Sequence, residues 1–256
     1  MTLLRLSALT GALLFTVNPS GVSAHSHEGG TSGDFESQQE SIQELEGLAG
    51  EEFEIAYVNA IVPHHESALE MAQAIVDRAP HQEVRAAAAQ IIEDQQSEIG
   101  MLTSFLEDTY GVEVEPDERQ MMSVEMMAEL ENATPEMAEA MFLLMMREHH
   151  QAAIEIGELG VQKAESDTLI EQAEMMIAMQ RDEQERFATW LQDWYGIEAP
   201  EPTGDMMSAM EHAGEATMPE TSSEPGSGGS SLLALFAFFL ALTAVVSGRY
   251  ALGRKA

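Results

Sequence analysis

Cysteine is absent from the 256-residue chain, and lysine occurs only at positions 163 and 255. Without cysteine the protein can form no disulfide bond, and any metal site must use imidazole, carboxylate, amide or thioether groups. Eleven basic residues stand against 45 acidic ones, which gives a formal net charge of −34. Such a surface repels the phosphates of nucleic acid and of anionic lipid. It attracts cations, although a solvated or salt-adapted surface would have the same composition.

Segments in which apolar and polar residues alternate are also absent, so no β-strands are expected. Apolar residues recur instead at three- and four-residue steps, the spacing of helices that bury one face. Four such stretches of roughly 25 residues, joined by short loops, predict an all-α protein built as an antiparallel four-helix bundle. Pro80 is placed to start the second helix. Thr134 is expected to cap the third helix, with Pro135 at its first position.

The chain contains an internal repeat with a shift of 85 residues. The shift places His64 on His149 and His65 on His150, and it aligns "YGVE" with "YGIE" and "MMS" with "MMS". Over the 80 aligned positions that begin at Glu44, 23 are identical. The bundle is therefore expected to consist of two helical hairpins related by approximate twofold symmetry.

Polar side chains interrupt the predicted apolar faces at equivalent positions of both copies. Burying such groups costs several kcal/mol unless each is hydrogen-bonded or bound to a ligand. They either hydrogen-bond between helices and fix the packing register, or they hold a metal ion. Adjacent histidines diverge by about 100° around a helix, so one helix cannot easily aim both at a single ion. The residues concerned are His64, His65, Gln95 and Glu98, and in the second copy His149, His150, Gln180 and Glu183.

Methionine is abundant, with 18 residues. It fills gaps in cores, but the stretch 206–218 is rich in Gly, Pro and Glu and cannot form much core. Thioether sulfur suits Cu(I), and methionines beside a histidine in such a tail indicate a second candidate site. Its residues are Met206, Met207, Met210 and His212.

The N-terminus carries a pattern typical of export. Residues 1–24 combine a positive charge, an apolar run and small residues, the order of a secretory signal peptide cleaved after Ala24. Cleavage there would leave "HSH" at the front of the mature chain. A free amine with histidine at the third position suits square-planar Cu(II), so His25 and His27 form a third candidate site.

The C-terminus carries a predicted membrane anchor. Residues 231–248 include no charge, and 18 residues of helix just cross a hydrocarbon core about 30 Å thick. Arginine and lysine follow at once, which places residues 249–256 in the cytoplasm and residues 25–230 outside. A buried soluble helix is the alternative interpretation.

The predicted organisation therefore has eight parts. They are a signal peptide (1–24), a disordered polar segment (25–43), a first helical hairpin (44–113), a Met-rich connection (114–128), a second hairpin (129–198), an acidic linker (199–230), a transmembrane helix (231–248) and a cytoplasmic tail (249–256).

The histidine-bearing segments resemble a known family. "IVPHHESALEMA" with "IIEDQQSEIGMLTSFL", and "MMREHHQAAIEIG" with "MIAMQRDEQERFATWL", are similar to the domain of unknown function 305 (DUF-305) family, and the two copies cover about residues 44–198. The resemblance implies an exported, ferritin-like bundle, some of whose members bind copper or silver through His and Met. By motif match it selects His64, His65, Met71, His149 and His150. The second copy departs from the pattern, with Ile156 in the place of Met71.

Three functions stay open. The first is membrane-anchored sequestration or delivery of copper, favoured as Cu(I), or of silver, by His and Met, with Glu98 and Glu183 orienting the imidazoles and a metal-handling protein as a possible partner. The second is a structural or interaction module without metal. The third is a ferritin-like oxidase, which typically needs glutamate three residues before each ligand histidine. Those positions hold Ile61, Val62, Met146 and Arg147, so an oxidase is disfavoured.

Overall fold

The computed structural model describes residues 32–205, and this part of the chain is entirely helical, without a β-strand. The all-helical prediction is confirmed. The helices are α1 (Ser32–Gly47), α2 (Gly50–Ile75), α3 (Gln82–Tyr110), α4 (Val124–Asn132), α5 (Pro135–Lys163) and α6 (Asp167–Tyr195), with a short 3-10 turn at Glu118–Gln120.

The helix bounds follow the 85-residue repeat. Both ends of α6 lie 85 residues after those of α3, α5 begins 85 residues after α2, and α4 ends 85 residues after α1. Gly111 and Gly196 end α3 and α6 in the left-handed conformation, with φ of 69° and 63°, which glycine adopts without steric cost. The structural repeat is therefore a unit of three helices, with a short leading helix before each hairpin.

The two leading helices correct the sequence prediction. α1 covers most of the segment expected to be disordered, 25–43, and α4 begins inside the predicted connection, 114–128. α1 carries few apolar residues and α4 spans only 9 residues, so neither gives a helical period over several turns. Packing supplies the missing stabilisation, because Leu45 and Leu130, which are repeat equivalents, are buried against the hairpins.

Capping residues define the starts of the long helices. Thr134 accepts a hydrogen bond from the backbone of Met137 and Pro135 is the first residue of α5, as predicted. Pro80 is not a helix residue: α3 begins at Gln82, with His81 as its N-cap. The backbone N–H of His81 instead donates to a side chain of α5, which satisfies a donor at the helix start.

The helices α2 and α5 pack against each other at the centre, with α3 on α2 and α6 on α5. One apolar cluster joins the first half of α2 to the second half of α5, and another joins the remaining halves, so the two central helices are antiparallel. Polar side chains separate the two clusters. This polar layer crosses the middle of the molecule.

Pro63 anchors the connection between the copies to α2. Proline inside a helix leaves the carbonyl four residues earlier without its usual donor. Here that carbonyl, on Asn59, accepts a hydrogen bond of 2.8 Å from the backbone of Asp117, and the Asn59 side chain accepts another from Glu115. The carbonyl that Pro63 leaves without a helical donor thus binds the connection between the two copies to α2.

No helix between residues 32 and 205 is long and apolar enough to cross a membrane. The predicted signal peptide, 1–24, and the predicted span, 231–248, lie outside the described residues.

Candidate metal site in a buried histidine layer

The centre of the polar layer consists of two histidine pairs that face each other across the α2–α5 interface. α2 supplies His64 and His65, and α5 supplies the repeat-equivalent His149 and His150. Each is at most 3% exposed. The symmetry of the repeat thus brings together all four histidines that the sequence singled out, which we call the histidine layer.

The inner member of each pair meets its equivalent directly. The ring centroids of His64 and His149 lie 3.7 Å apart, with 39° between the ring planes. None of the four ring nitrogens of these two residues has a hydrogen-bond partner in the described part of the chain. Buried polar atoms are nearly always hydrogen-bonded, so packing alone does not account for these imidazoles.

The outer member of each pair meets a glutamate of the return helix. His150 Nε2 forms a hydrogen bond of 2.8 Å with Glu183 Oε2, and His65 Nε2 lies 2.7 Å from Glu98 Oε2, close enough for an ion pair but without hydrogen-bond geometry. The two carboxylates are slightly exposed, at 13% and 12%, whereas the imidazoles are fully buried. A carboxylate at this distance can fix the tautomer and orientation of an imidazole, which is the usual arrangement behind a metal-bound histidine.

Two buried glutamines complete the layer. Gln95 and Gln180 are 4% and 2% exposed. The side-chain oxygen of Gln95 and both polar atoms of Gln180 have no hydrogen-bond partner within residues 32–205. The layer therefore contains more polar atoms than its own hydrogen bonds satisfy.

Burial keeps the inner histidines neutral. The pKa of His64 and that of His149 lie well below the ordinary value of 6.5, mainly because burial penalises the charged ring and secondarily because the neighbouring histidines repel a second charge. A neutral imidazole has a free lone pair, which is the form that binds metal ions. The donor set consequently fits a metal ion such as Cu(I), Cu(II) or Ag(I).

The described side chains do not form a closed coordination shell as they stand. Between residues 32 and 205, no three His, Asp or Glu side chains are arranged to hold one metal ion. Met71 is fully buried in the apolar cluster on one side of the layer, together with Met146. Met146 precedes His149 by three residues and so shares its helix face, which offers a thioether candidate that sequence comparison of the copies did not select.

The remaining predicted site residues lie outside the described part of the chain. They are His25, His27, Met206, Met207, Met210 and His212. The described chain ends beside α5, since the backbone N–H groups of Thr203 and Gly204 donate to Glu148 at 2.7 and 2.9 Å. Burial raises the pKa of Glu148, and these two hydrogen bonds oppose the shift.

Two further buried glutamates, which the sequence pattern did not predict as functional, join the two copies. Glu54 accepts hydrogen bonds from the backbone of Glu165 and Ser166 at the start of α6 and from the hydroxyl of Tyr110. Its repeat equivalent, Glu139, accepts from the backbone of His81 at the start of α3 and from the hydroxyl of Tyr195. The signal was available, because the 85-residue shift aligns the two glutamates with each other and the two tyrosines with each other.

The family comparison covers most of the chain. The model of the domain of unknown function DUF305 matches residues 16–106, 54–169 and 139–226. Among functionally curated proteins, no sequence matches significantly.

Solved structures share the fold. CopM in the Cu(I)-bound form is 24% identical, with a TM-score of 0.51, over 56% of this chain and 98% of that chain. CopM in an Ag-bound form obtained by co-crystallisation is 25% identical, with a TM-score of 0.50 and the same coverage. A secreted DUF305 protein from Streptomyces coelicolor is 23% identical, with a TM-score of 0.51, over 55% and 93% of the two chains.

Proposed function

This chain belongs to the DUF305 family, and we propose that it binds copper or silver in the histidine layer, for sequestration or delivery of the ion. The observation that carries the proposal is the pair of buried, neutral inner histidines, His64 and His149, whose four ring nitrogens lack partners. A bound ion would satisfy nitrogens that the described chain leaves unpaired. The Ag-bound CopM structure supports the same class of ligand.

In this proposal His64, His65, His149 and His150 supply the nitrogen ligands. Met71, or Met146 from the second copy, supplies a thioether, which favours Cu(I) over harder ions. Glu98 and Glu183 orient the outer histidines. Each lies against one outer imidazole and sets which of its ring nitrogens faces the layer. The ion would provide electron-pair acceptance, and the protein would provide burial and fixed neutral donors.

The proposed location is the outer face of a membrane. A signal peptide at 1–24 would export the chain, a helix at 231–248 would anchor it, and residues 25–230 would stay extracytoplasmic. Fractionation of cells that express the full chain tests this. Release of the protein into the soluble fraction on deletion of residues 231–256 is expected, and an unchanged distribution contradicts the anchor.

Competition for Cu(I) tests the binding function. The purified chain is titrated against a chromophoric Cu(I) chelator, and Ag(I) is used as a redox-stable substitute. Binding tighter than micromolar is expected. One equivalent of binding per chain should be lost when His64 and His149 are both changed to leucine, and retained when the tail methionines Met206, Met207 and Met210 are changed to leucine. Absence of binding, or unchanged binding by the histidine variant, rejects the proposal.

A purely structural role is the second candidate, and the outer pairs favour it. The contacts of His65 with Glu98 and of His150 with Glu183 are those expected of groups that fix helix register. The inner histidines do not fit this role, since they contact no such partner. Their effect on stability, considered below, separates the two functions.

A further inference from the structure

An open groove of about 590 Å³ lies between α2 and α4, away from the histidine layer. Three methionines line it: Met121 and Met122, which precede α4, and Met127, which lies in its second turn. Side chains of α2 form the opposite wall, among them Glu70 and Ala74. The groove therefore gathers three methionines of graded exposure: Met121 is 37% exposed, Met127 is half-buried, and Met122, at 8%, belongs to the adjoining apolar cluster.

Local structure holds these methionines in place. Ser123 caps α4 by accepting a hydrogen bond from the backbone of Met126. Met122 and Met127 then occupy the positions before the cap and at the fourth helical residue, whose side chains commonly pack together. The backbone N–H of Met122 also donates to Ser67 of α2 at 2.9 Å. The thioethers are thus presented from a fixed backbone.

Packing does not require sulfur at these positions. Leucine or isoleucine would serve equally in an apolar contact at a helix start. Met121 is 37% exposed and Val124 is 80% exposed, so the groove also leaves apolar surface in contact with water. Thioether sulfur adds what leucine and isoleucine lack, an affinity for soft monovalent ions.

The electrostatics of the groove favour a cation. Glu70 and Glu131 lie at its rim, and no basic side chain is among the residues described as lining it. Arg78, which reaches the same helix, donates to the backbone carbonyls of Glu131 and Ala133 at the far end of α4. Its charge is thereby directed at the C-terminal end of the α4 dipole.

We propose that this groove is a second soft-metal site, in which the thioethers of Met121, Met122 and Met127 bind Cu(I) or Ag(I) at the surface. The site uses no histidine and shares no residue with the histidine layer, so it goes beyond the function proposed above and stands or falls separately. Its exposure makes the ion exchangeable with solvent, in contrast to an ion held between α2 and α5.

Methyl NMR of the full chain with ¹³C-labelled methionine tests the site, with Ag(I) as the probe and His64→Leu/His149→Leu as the background. In this background the inner histidines contribute no ligands. The methyl signals of the three groove methionines, assigned by single leucine substitutions, should shift together as Ag(I) is added. Met121→Leu/Met127→Leu should weaken that binding at least tenfold.

The matched control is Met175→Leu/Met179→Leu, which removes two exposed methionines of α6, 60% and 41% exposed, outside the groove. This control should leave the response of the groove methyls unchanged. Groove signals that do not move with Ag(I) overturn the site, as does an equal loss of affinity in the control. If the groove methyls do not respond while the wild-type chain still binds Ag(I) through its histidines, the groove site is rejected and the function proposed above is unaffected.

Discussion

The four layer histidines fall into two classes according to what surrounds their ring nitrogens. His65 and His150 each lie against a glutamate, whereas the rings of His64 and His149 lie against each other, with centroids 3.7 Å apart, and face no carboxylate. An unpaired buried polar group destabilises a fold, and replacing it by an apolar group of similar size is neutral or stabilising. The inner and outer histidines should therefore respond oppositely to the same substitution.

His64→Leu/His149→Leu is expected to leave the metal-free protein at least as stable as the wild type while abolishing metal binding in the histidine layer. His65→Leu, in contrast, removes the partner of Glu98 and should lower the free energy of unfolding by about 1–3 kcal/mol. Chemical denaturation with a chelator present measures both. A loss of stability in the inner double variant as large as that in His65→Leu would show that all four histidines serve packing.

Acid should destabilise the protein through the inner histidines. Their folded pKa lies below the ordinary 6.5, so the unfolded chain binds protons that the folded chain does not. Above about pH 6.5 these histidines do not reduce the free energy of unfolding. As the pH falls from there towards the folded pKa, the free energy of unfolding decreases by up to about 1.4 kcal/mol per pH unit for each histidine.

The comparison of two pH values isolates this effect. Between pH 7.5 and 5.5 the wild type should lose more stability than His64→Leu/His149→Leu, measured by denaturant unfolding at each pH. Glu148 acts in the opposite sense, since its raised pKa favours the folded state as the pH falls, but it is common to both proteins. Equal losses in the two proteins would contradict the account.

At the scale of residues, the sequence predicted the layer well because rare polar residues recurred in one register. It could not assign which histidine of each pair faces its equivalent and which faces a glutamate. That choice depends on the rotation of α2 against α5, which no local pattern encodes. The three-residue step from Met146 to His149 is visible in the sequence, but the burial of Met146 with all of residues 137–150 is known only from the structure.

Among the elements, the return helices are tied to the opposite copy by the two buried glutamates. Glu54 of the first copy binds the start of α6 and Glu139 of the second binds the start of α3. Because helix starts leave backbone N–H groups unsatisfied, each carboxylate both caps a helix and joins the two hairpins. The arrangement explains how short loops suffice to hold α3 and α6 in register.

Glu54→Gln and Glu139→Gln should each lower the free energy of unfolding by about 1–3 kcal/mol, since the hydrogen bonds lose their charged acceptor and the oxygen that accepts from a tyrosine hydroxyl becomes an amide nitrogen that cannot accept. Glu107→Gln, on the exposed side of α3, is the control and should change it by less than about 0.5 kcal/mol. Thermal or denaturant unfolding measures all three. Loss in only one of the two buried variants would contradict the symmetric role.

Two glycines of α5, Gly157 and Gly160, allow its close approach to neighbouring side chains. A Cβ atom on Gly160 would lie 2.8 Å from the Tyr57 ring and 3.2 Å from Ala173, so Gly160→Ala should cost about 1–3 kcal/mol. Gly100→Ala, in α3 with nothing within 4 Å, should instead stabilise the protein by about 0.5–1 kcal/mol. Unfolding free energies of the two variants with the same sign would show that the close packing is not limiting.

Sequence periodicity predicted the long helices but not α1 and α4. The long helices each carry a full apolar stripe, whereas the leading helices are stabilised by a few contacts to residues far along the chain, such as Leu45 and Leu130. Propensity and pattern do not report such contacts. The repeat itself offered a hint, since the aligned identities begin at Glu44, within the last turn of α1.

For the molecule as a whole, the repeat places a polar layer on an approximate twofold axis between two apolar clusters. The copies are not identical around it: Met71 is matched by Ile156, and both tryptophans of the chain lie in the second copy. A site on this axis would receive equivalent imidazole ligands from both copies. Its thioether ligands would not be equivalent, because Met71 has no methionine counterpart in the second copy. The account thus expects one bound ion per chain in the layer.

Copper K-edge X-ray absorption of the full chain loaded with one equivalent of Cu(I) tests the central claim most directly. The account predicts the multiple scattering of imidazole ligands in the wild type and its loss in His64→Leu/His149→Leu, with circular dichroism confirming that the variant is folded. A wild-type spectrum with sulfur scattering alone would contradict binding in the histidine layer, and an imidazole signal of undiminished intensity in the variant would contradict binding by its inner histidines.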